Sequence, residues 1–267
     1  MSLLETFLVG HFVVFVLVLT RISAVVMTAP LFSEHSIPLR VRALFAVFLA
    51  FLVAPLQAST TEPVVENLLE LGRLMALEAL VGLLLGLGFN ILFAGLQVAG
   101  QIISQMSGMS LAEVFSPGFD DNVSVFSQLF FFVTMAVFLT LGGHRMVIEA
   151  LLETFCWAPP GQVALGGTFV EALTSIVTQS FILGIRAIAP VLTALLLSTI
   201  VLGLISRTLP QLNIMLVGFN LNAMLTLAVL FLSLGTVAWT FQEQTGEMLI
   251  RLQQVIHNAN WQPSAGA

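Results

Sequence analysis

Ionisable side chains inside long apolar runs are the first candidates for chemistry in this sequence. Arg186 lies deep in an apolar run from 168 to 206, and Glu78 lies in another from 74 to about 103. A charge at the middle of a membrane is costly unless it is paired. Such a pair could relay protons or ions, or it could be a structural ion pair that fixes the register of helices or subunits. We favour the structural pair, with Glu78 predicted as the partner of Arg186 and Glu171 as the alternative.

A third charge, Arg21, lies near the end of the first apolar run. The same two interpretations apply to it, and again we favour the structural one. From a position near a helix end, a long arginine side chain can also extend to the membrane interface. Arg21 is therefore expected either to pair or to reach the interface.

Signatures of catalysis are missing from the sequence. It has no His-Glu-x-x-His motif and no Gly-x-Ser-x-Gly motif, and its four histidines are scattered. The one cysteine, Cys156, excludes an intrachain disulfide and a cysteine-based zinc site. We therefore predict no enzymatic activity, no metal and no cofactor.

The segment from Gly100 to Asn122 differs from the apolar runs on both sides of it. It is rich in glycine, serine and methionine, and it is too polar to face lipid. Irregular backbone beside membrane helices persists only where protein or a water-filled cavity surrounds it. Because methionine side chains are flexible and polarizable, Met106 and Met109 could close a pore and yield when a chain passes. The alternative is a connector whose methionines pack loosely over a helix bundle.

The composition places the chain in a membrane or in a very apolar assembly. Hydrophobic residues make up 58% of the 267 residues and charged residues 8%, whereas a soluble domain carries roughly 25% charged residues. The net charge is −6, so the sequence gives no support for nucleic-acid binding. No positively charged region precedes the first apolar run, and we expect this run to stay as a helix.

About six apolar segments are long enough to span a membrane, which takes roughly 20 residues each. They predict an all-α fold with a single domain over 1–258 and a flexible tail over 259–267. Glycines in the third segment are expected to allow close helix approach; they are Gly82, Gly86 and Gly88. The segments lie at about 6–28, 42–58, 74–103, 123–141, 168–206 and 219–241.

Turn and cap residues predict where several helices begin and end. Asp121 or Asn122 is predicted to cap the fourth segment, and Gly142-Gly143 to end it. The run Trp157-Ala-Pro-Pro-Gly161 is predicted to stop the mixed helix that follows. Pro190 predicts that the fifth segment is either one kinked helix or two helices. Arginines are shared equally between the two sides of the membrane, so the orientation stays open.

Three stretches of the sequence resemble one family of bacterial proteins. The first is Pro30-Leu-Phe with Ile37-Pro-Leu-Arg-Val-Arg42, and the second is Gly100 to Gly108 with Ala112, Pro117 and Gly143-His144. The third and most specific is Arg207-Thr-Leu-Pro-Gln-Leu-Asn-Ile-Met-Leu-Val-Gly-Phe-Asn-Leu221. From about residue 5 to 255 the chain resembles the flagellar biosynthesis protein FliR family, the R subunit of the flagellar type III export gate. The third stretch favours this family over its virulence counterpart, the paralogous T subunit.

The resemblance implies a fold, a location and a set of partners. An R subunit resembles a fused P and Q subunit built from kinked helical hairpins, and one copy joins several P and Q subunits in a helical ring. The B subunit contacts the cytoplasmic mouth of the pore, and unfolded flagellar subunits are exported through it. The implied location is the bacterial inner membrane, in contact with lipid at the flagellar basal body.

The resemblance also implies a plug. In the family a loop of the R subunit closes the pore, and the matching stretch here is about 104–118. Ser116 stands where the family usually has Asp before a proline, and Asn220 stands where a proline is common. The residues predicted to form the plug are Met106, Gly108, Met109, Leu111 and Phe115.

The third stretch is interpreted as a structural corner or a contact with another subunit. Pro210 is expected to stop a helix there. Arg207, Gln211 and Asn213 can then satisfy the backbone groups that the stop leaves unpaired, or contact a neighbouring subunit.

Two other functions stay open from the sequence. One is a secondary transporter that works alone, with Arg186 and Glu78 as its relay. The other is an assembly scaffold that does not line a pore.

Overall fold

The computed structural model describes residues 3–33, 37–58, 65, 67–110, 124–163, 168–209 and 214–260. Seven helices have both of their ends within these ranges, and none of the described residues lies in a strand. The predicted all-α fold is therefore confirmed. The helices are α1 (Leu3–Thr28), α2 (Leu39–Ala58), α3 (Leu68–Ser107), α4 (Val125–Thr140), α5 (Gly143–Trp157), α6 (Thr168–Thr208) and α7 (Ile214–Asn260).

The described helices include enough long apolar segments to confirm the predicted number. Five of them (α1, α2, α3, α6 and α7) are long and apolar enough to cross a membrane, or up to six spans exist if the bent pair of α4 and α5 is one. The apolar windows of α6 and α7 have 36 and 32 residues, more than the roughly 20 that a span requires. Both helices can therefore extend beyond a bilayer core.

The break between α4 and α5 lies at the predicted glycines. The two helices are bent by 68°, and Gly142 between them has φ +73°. Glycine adopts this left-handed conformation without the steric penalty of a side chain. The second predicted stop is also confirmed, because α5 ends at Trp157.

The cap of α4 differs from the prediction. Ser124, not Asp121 or Asn122, is the N-cap, and its hydroxyl accepts a hydrogen bond from the Ser127 N–H at 3.1 Å. Ser124 is extended and lies directly before the first helical residue, which is the position where a hydroxyl can reach an unpaired N–H of the first turn. Asp121 and Asn122 lie outside the described residues.

Both long C-terminal helices are continuous. Pro190 lies inside α6, so the alternative of one helix is confirmed. The Thr193 hydroxyl donates to the carbonyl oxygens of Ala189 and Pro190 at 3.0 and 2.9 Å, next to the turn that the proline interrupts. In the same way α7 joins the last apolar run to the amphipathic sequence after it.

The chain divides into two compact units, and each is assembled from separated stretches. Unit 1 contains residues 1–91, 142–177 and 245–267, and unit 2 contains residues 92–141 and 178–244. The division into a domain over 1–258 and a tail over 259–267 stays a prediction.

Close contact of α1 and α3 organises unit 1. A Cβ atom at Gly82 would overlap the Arg21 carbonyl oxygen, and one at Gly86 would overlap the Thr28 hydroxyl. The predicted role of these two glycines is confirmed, because only a residue without a side chain fits. The Asn90 side chain amide, one turn further along α3, donates to the Thr28 carbonyl at 3.2 Å.

The interior of unit 2 contains phenylalanine rings in edge-to-face contact and glycines where helices approach closely. Phe93 of α3 is fully buried and meets the rings of Phe138 and Phe241 edge to face, with centroids 5.5 and 5.6 Å apart. A Cβ atom at Gly184 of α6 would lie 2.7 Å from the Gly95 carbonyl oxygen. The backbones of α3 and α6 therefore approach as closely here as those of α1 and α3 do in unit 1.

Candidate functional site

A fully buried ion pair lies at the interface of α1 and α3 in unit 1. Arg21 Nε donates to Glu78 Oε2 at 2.6 Å, and both side chains have no exposed surface. Gly82 lies one turn after Glu78, and the close approach that it allows brings the two charges within reach. The pair thus depends on helix contact that a larger residue at position 82 would prevent.

The remaining polar atoms of the pair are used by the end of α5 and the turn after it. Arg21 Nη1 donates to both the carbonyl and the hydroxyl of Thr154 at 3.1 Å, and Nη2 donates to the Ala158 carbonyl at 2.9 Å. The backbone N–H of Gly161 donates to Glu78 Oε1 at 2.8 Å. Arg21 therefore pairs with a carboxylate and also caps the C-terminal end of α5.

This arrangement suits a structural role rather than a relay. Three guanidinium nitrogens and both carboxylate oxygens have partners, and the guanidinium carbon lies 4.3 Å from the centroid of the Phe155 ring. A buried charge pair is tolerated when its hydrogen bonds are complete and its geometry is good. We call the set of Arg21, Glu78, Thr154, Ala158 and Gly161 the Arg21 cluster.

The predicted pairing of Glu78 with Arg186 is wrong, since Glu78 pairs with Arg21. Of the two outcomes expected for Arg21, pairing is confirmed, because its fully buried side chain meets Glu78 and does not extend to an interface. The physical reason is the same for both. Gly82 and Gly86 draw α3 against α1, and a carboxylate one turn before Gly82 then meets the guanidinium on α1.

Arg186 has a different environment, on the exposed face of α6 in unit 2. Among the described residues its side chain makes no ion pair and no hydrogen bond. Glu78 is therefore not the partner of Arg186. That Arg186 needs a partner stays a prediction.

The irregular stretch predicted from Gly100 begins at the end of α3, later than the sequence suggested. Residues 100–107 are helical, so the irregular stretch does not start at Gly100. Gly100 instead allows close packing, since a Cβ atom there would lie 2.7 Å from the Phe126 carbonyl oxygen in α4. The helix ends where Gly108 takes φ +83°, a left-handed conformation typical of a helix C-terminus.

The described part of the plug is short. Met106 is 44% exposed, and Met109 is partly buried. Leu111 and Phe115 lie outside the described residues. The assignment of these side chains to a plug stays a prediction.

The predicted corner is also described in part. Arg207 is exposed in the last turn of α6, where a positive side chain is favourable beside the unpaired carbonyls. Pro210, Gln211 and Asn213 lie outside the described residues. Their role as a corner or subunit contact stays a prediction.

Sequence reasoning missed the backbone partners of the Arg21 cluster. Thr154 and Ala158 belong to the end of α5, and Gly161 follows it with φ +82°. The signal in the sequence was the Pro159-Pro160-Gly161 stop, since a helix that ends inside an apolar protein leaves carbonyls in need of donors. Nothing in the spacing of the sequence connects that stop to Arg21.

Comparison with known proteins gives consistent results over most of the chain. A family model described as bacterial export proteins, family 1, matches residues 12–248. This region includes the Arg21 cluster, the end of α3 and most of α7.

Three of the curated relatives share one name. The flagellar biosynthetic protein FliR of Escherichia coli (strain K12) is 33% identical over 204 residues, which cover 76% of this chain and 77% of the relative. The protein of the same name from Caulobacter vibrioides is 29% identical over 233 residues, 87% of this chain and 93% of the relative. That from Aquifex aeolicus is 31% identical over 221 residues, covering 82% and 84%.

Proposed function

Because this chain belongs to family 1 of the bacterial export proteins, we propose that it is the R subunit of a flagellar type III protein export gate. The observation that carries the proposal is the family match over residues 12–248. Relatives named for flagellar biosynthesis align with the chain over 77–93% of their own lengths. The similarity thus concerns the set of long apolar helices as a whole, and not one motif.

In this role the chain works as one copy in a hetero-oligomer. Its partners are the P and Q subunits around it, the B subunit at the cytoplasmic mouth and the unfolded flagellar subunits that pass through. The assembly lies at the flagellar basal body in the bacterial inner membrane. Support for a membrane location comes from the five to six candidate spans among the described residues.

The end of α3 and the residues after it form the plug of this gate. Support comes from Met106, which is exposed at the helix end, and from Gly108, whose left-handed backbone ends the helix and redirects the chain. Flexible side chains such as Met106 and Met109 fit irregular surfaces and can be displaced by a passing chain. The stretch from Arg207 to Asn213 is the corner that contacts a neighbouring subunit. Neither segment performs a chemical reaction, and the chain is not an enzyme.

Two observations weigh against the other functions. The relatives reported above are named for flagellar biosynthesis, which favours the flagellar gate over the virulence one. A transporter that relays protons between Arg186 and Glu78 lacks support, because Glu78 is buried against Arg21 and both of its oxygens are occupied.

The test is genetic and biochemical, in the bacterium that encodes this chain. Deletion of its gene is expected to abolish swimming and the export of flagellar subunits into the medium, and a plasmid copy to restore both. A tagged copy is expected to co-purify with the P and Q subunits as one detergent-stable complex. Normal motility in the deletion strain, or a stable carrier that purifies alone without P and Q, would refute the proposal.

A further inference from the structure

The start of α7 lies against the end of α3 in unit 2. A Cβ atom at Gly108 would lie 3.6 Å from Cδ2 of the Phe219 ring, which is an ordinary van der Waals distance. The ring of Phe219, which is partly buried, therefore lies on the side of Gly108 where another residue would carry its side chain. Contacts of this kind are weak one by one, but a ring makes many of them at once. Phe219 thus helps to fix where the backbone of Gly108 lies.

Gly108 is the residue at which α3 ends. Its backbone is left-handed, with φ +83°, and its N–H donates to the Gln105 carbonyl at 3.3 Å. The residue before it, Ser107, is buried, and the Ser107 hydroxyl donates to the Ser104 carbonyl at 3.1 Å. A left-handed residue after a helix sets the direction of the chain that follows. A shift of Gly108 would therefore move the residues after it.

The start of α7 is itself held against α6. A Cβ atom at Gly218 would lie 3.2 Å from Cδ1 of Leu202, and both residues are buried. One turn further along α7, Asn222 Oδ1 accepts a hydrogen bond from the Ser198 hydroxyl at 2.7 Å. Because Ser198 lies one turn before Leu202, the two helices run antiparallel here. A polar contact beside close packing fixes the register of such helices, so α7 cannot slide along α6 without breaking both contacts.

These contacts form one continuous path through unit 2. It leads from α6 to Gly218 and Asn222, then to Phe219 between them in the sequence, and from the Phe219 ring to Gly108. Met106 and Met109, the described methionines of the plug, lie within two residues of Gly108. The position of both methionines therefore depends on a ring that belongs to a different helix.

We propose that Phe219 is a positioning residue for the plug, which holds Gly108 in place and so sets where Met106 and Met109 lie in the closed gate. The inference rests on the proposed function, since the plug belongs to it. The contact also connects two segments that the sequence singled out separately, because the corner from Arg207 to Asn213 directly precedes α7. A movement of the corner is thereby transmitted to the plug through the start of α7.

A graded series of substitutions at Phe219 tests the proposal in the whole complex with P and Q. Phe219→Leu keeps most of the apolar volume and is expected to assemble normally. Ion flux into vesicles, divided by the amount of assembled complex, is expected to rise in the order Phe219→Leu, Phe219→Val, Phe219→Ala. For Phe219→Ala the rise is expected to be at least about tenfold, which corresponds to about 1.4 kcal/mol in an equilibrium between closed and open states.

Phe231→Ala is the matched control for this series. It makes the same change in the same helix, at a ring that is 74% exposed. Its ion flux per complex is expected to equal that of the unmodified complex. Thermal unfolding of the same preparations separates positioning from packing, since a packing role would lower the unfolding temperature of the Phe219 variants without changing their flux per complex.

The outcomes separate this inference from the proposed function. If deletion of residues 106–113 makes the complex leaky while every assembled Phe219 variant stays as tight as the unmodified complex, the inference is overturned and the plug is retained. If that deletion leaves an intact complex tight, the plug itself fails. If the unmodified chain does not assemble with P and Q at all, the proposed function fails.

Discussion

In unit 1, all three guanidinium nitrogens of Arg21 and both carboxylate oxygens of Glu78 make hydrogen bonds. Apart from the bond between the two side chains, the partners lie at the end of α5 and in the turn after it. Removing one charge from such a pair leaves the other buried without compensation. Breaking a buried pair in this way is strongly destabilising, whereas replacing both partners by apolar residues is much less so. Substitutions in the Arg21 cluster can therefore distinguish the cost of an unpaired buried charge from the cost of lost packing.

Glu78→Gln is expected to destabilise the chain by about 3–5 kcal/mol, because Arg21 stays charged in an apolar interior. Thermal unfolding of the purified complex measures the change. Glu149→Gln is the matched control, since it removes the same charge from the exposed pair with Arg145, which is worth at most about 1 kcal/mol. Equal effects of the two substitutions would show that burial of the Arg21 cluster does not matter.

Arg21→Met combined with Glu78→Leu is expected to be more stable than Glu78→Gln alone. The double variant removes both charges but also leaves the Ala158 carbonyl and the partly buried Gly161 N–H without partners, which offsets part of the gain. Recovery is therefore expected to be partial in the same unfolding experiment. A double variant less stable than Glu78→Gln would contradict this account.

At the residue scale, the sequence predicted which charges need partners but not which partners they have. Arg21, Glu78 and Arg186 all stand out because they interrupt apolar runs. The choice between them depends on which helix faces touch, and the residues between Arg21 and Glu78 number in the dozens. Gly82 and Gly86 let the backbones of α1 and α3 approach closely, and this approach makes Glu78 the partner of Arg21. The distance between two backbones cannot be read from the properties of single residues.

Helices α1 and α3 offer a test at the scale of elements. Gly82→Ala is expected to disrupt their contact, since the new Cβ atom would overlap the Arg21 carbonyl oxygen and lie 2.7 Å from the Ala24 Cβ atom. Gly72→Ala, in the same helix, meets no atom within 4 Å and is expected to stabilise α3 by up to about 1 kcal/mol. Thermal unfolding of the two variants compares them, and a destabilised Gly72→Ala beside a neutral Gly82→Ala would contradict the packing described for α3.

The end of α3 makes a different prediction. Deletion of residues 106–113 is expected to leave assembly with P and Q intact and to make the membrane leaky to small ions, because the proposed plug is lost. Ion flux into vesicles that contain the complex measures the leak. Met224→Ser, at an exposed methionine of α7, is the control for a general change of the apolar surface. An intact complex in a tight membrane would refute the plug.

The sequence predicted the helix boundaries that depend only on the residues at the boundary itself. The glycine at 142 and the proline pair after Trp157 end their helices because of properties of those residues alone. The start of the break after α3 was predicted eight residues too early, at Gly100 instead of Gly108. A glycine looks the same in a sequence whether it ends a helix or lets another helix approach, and Gly100 does the second.

For the whole molecule, helices differ in how much of their apolar surface the chain itself covers. The share buried is 56% for the apolar window of α3 but 22% for those of α2, α6 and α7. The three less covered helices expose large side chains such as Phe48 and Phe51 of α2. Lipid and neighbouring subunits must cover this surface in the assembled gate.

We therefore expect the chain to be unstable and polydisperse when it is expressed without its partner subunits. In mild detergent it is expected to elute as a broad mixture of species and to be degraded in cells, whereas co-expression with P and Q gives one sharp peak. Size-exclusion chromatography of the two preparations, with matched amounts of detergent, measures the difference. A sharp monomer peak from the chain alone would contradict this expectation.

The Arg21 cluster also has a consequence for the order of synthesis. Arg21 leaves the ribosome 57 residues before Glu78 and 133 residues before Thr154. At a translation rate of about 5–20 residues per second, Glu78 is synthesised roughly 3–11 s after Arg21, and Thr154 roughly 7–27 s after it. During that time an inserted α1 would hold an unpaired charge in lipid, which favours insertion of α1 together with α3 over insertion of α1 alone. The last of the Arg21 contacts described above, with the Ala158 carbonyl, forms only when more than half of the chain has been translated.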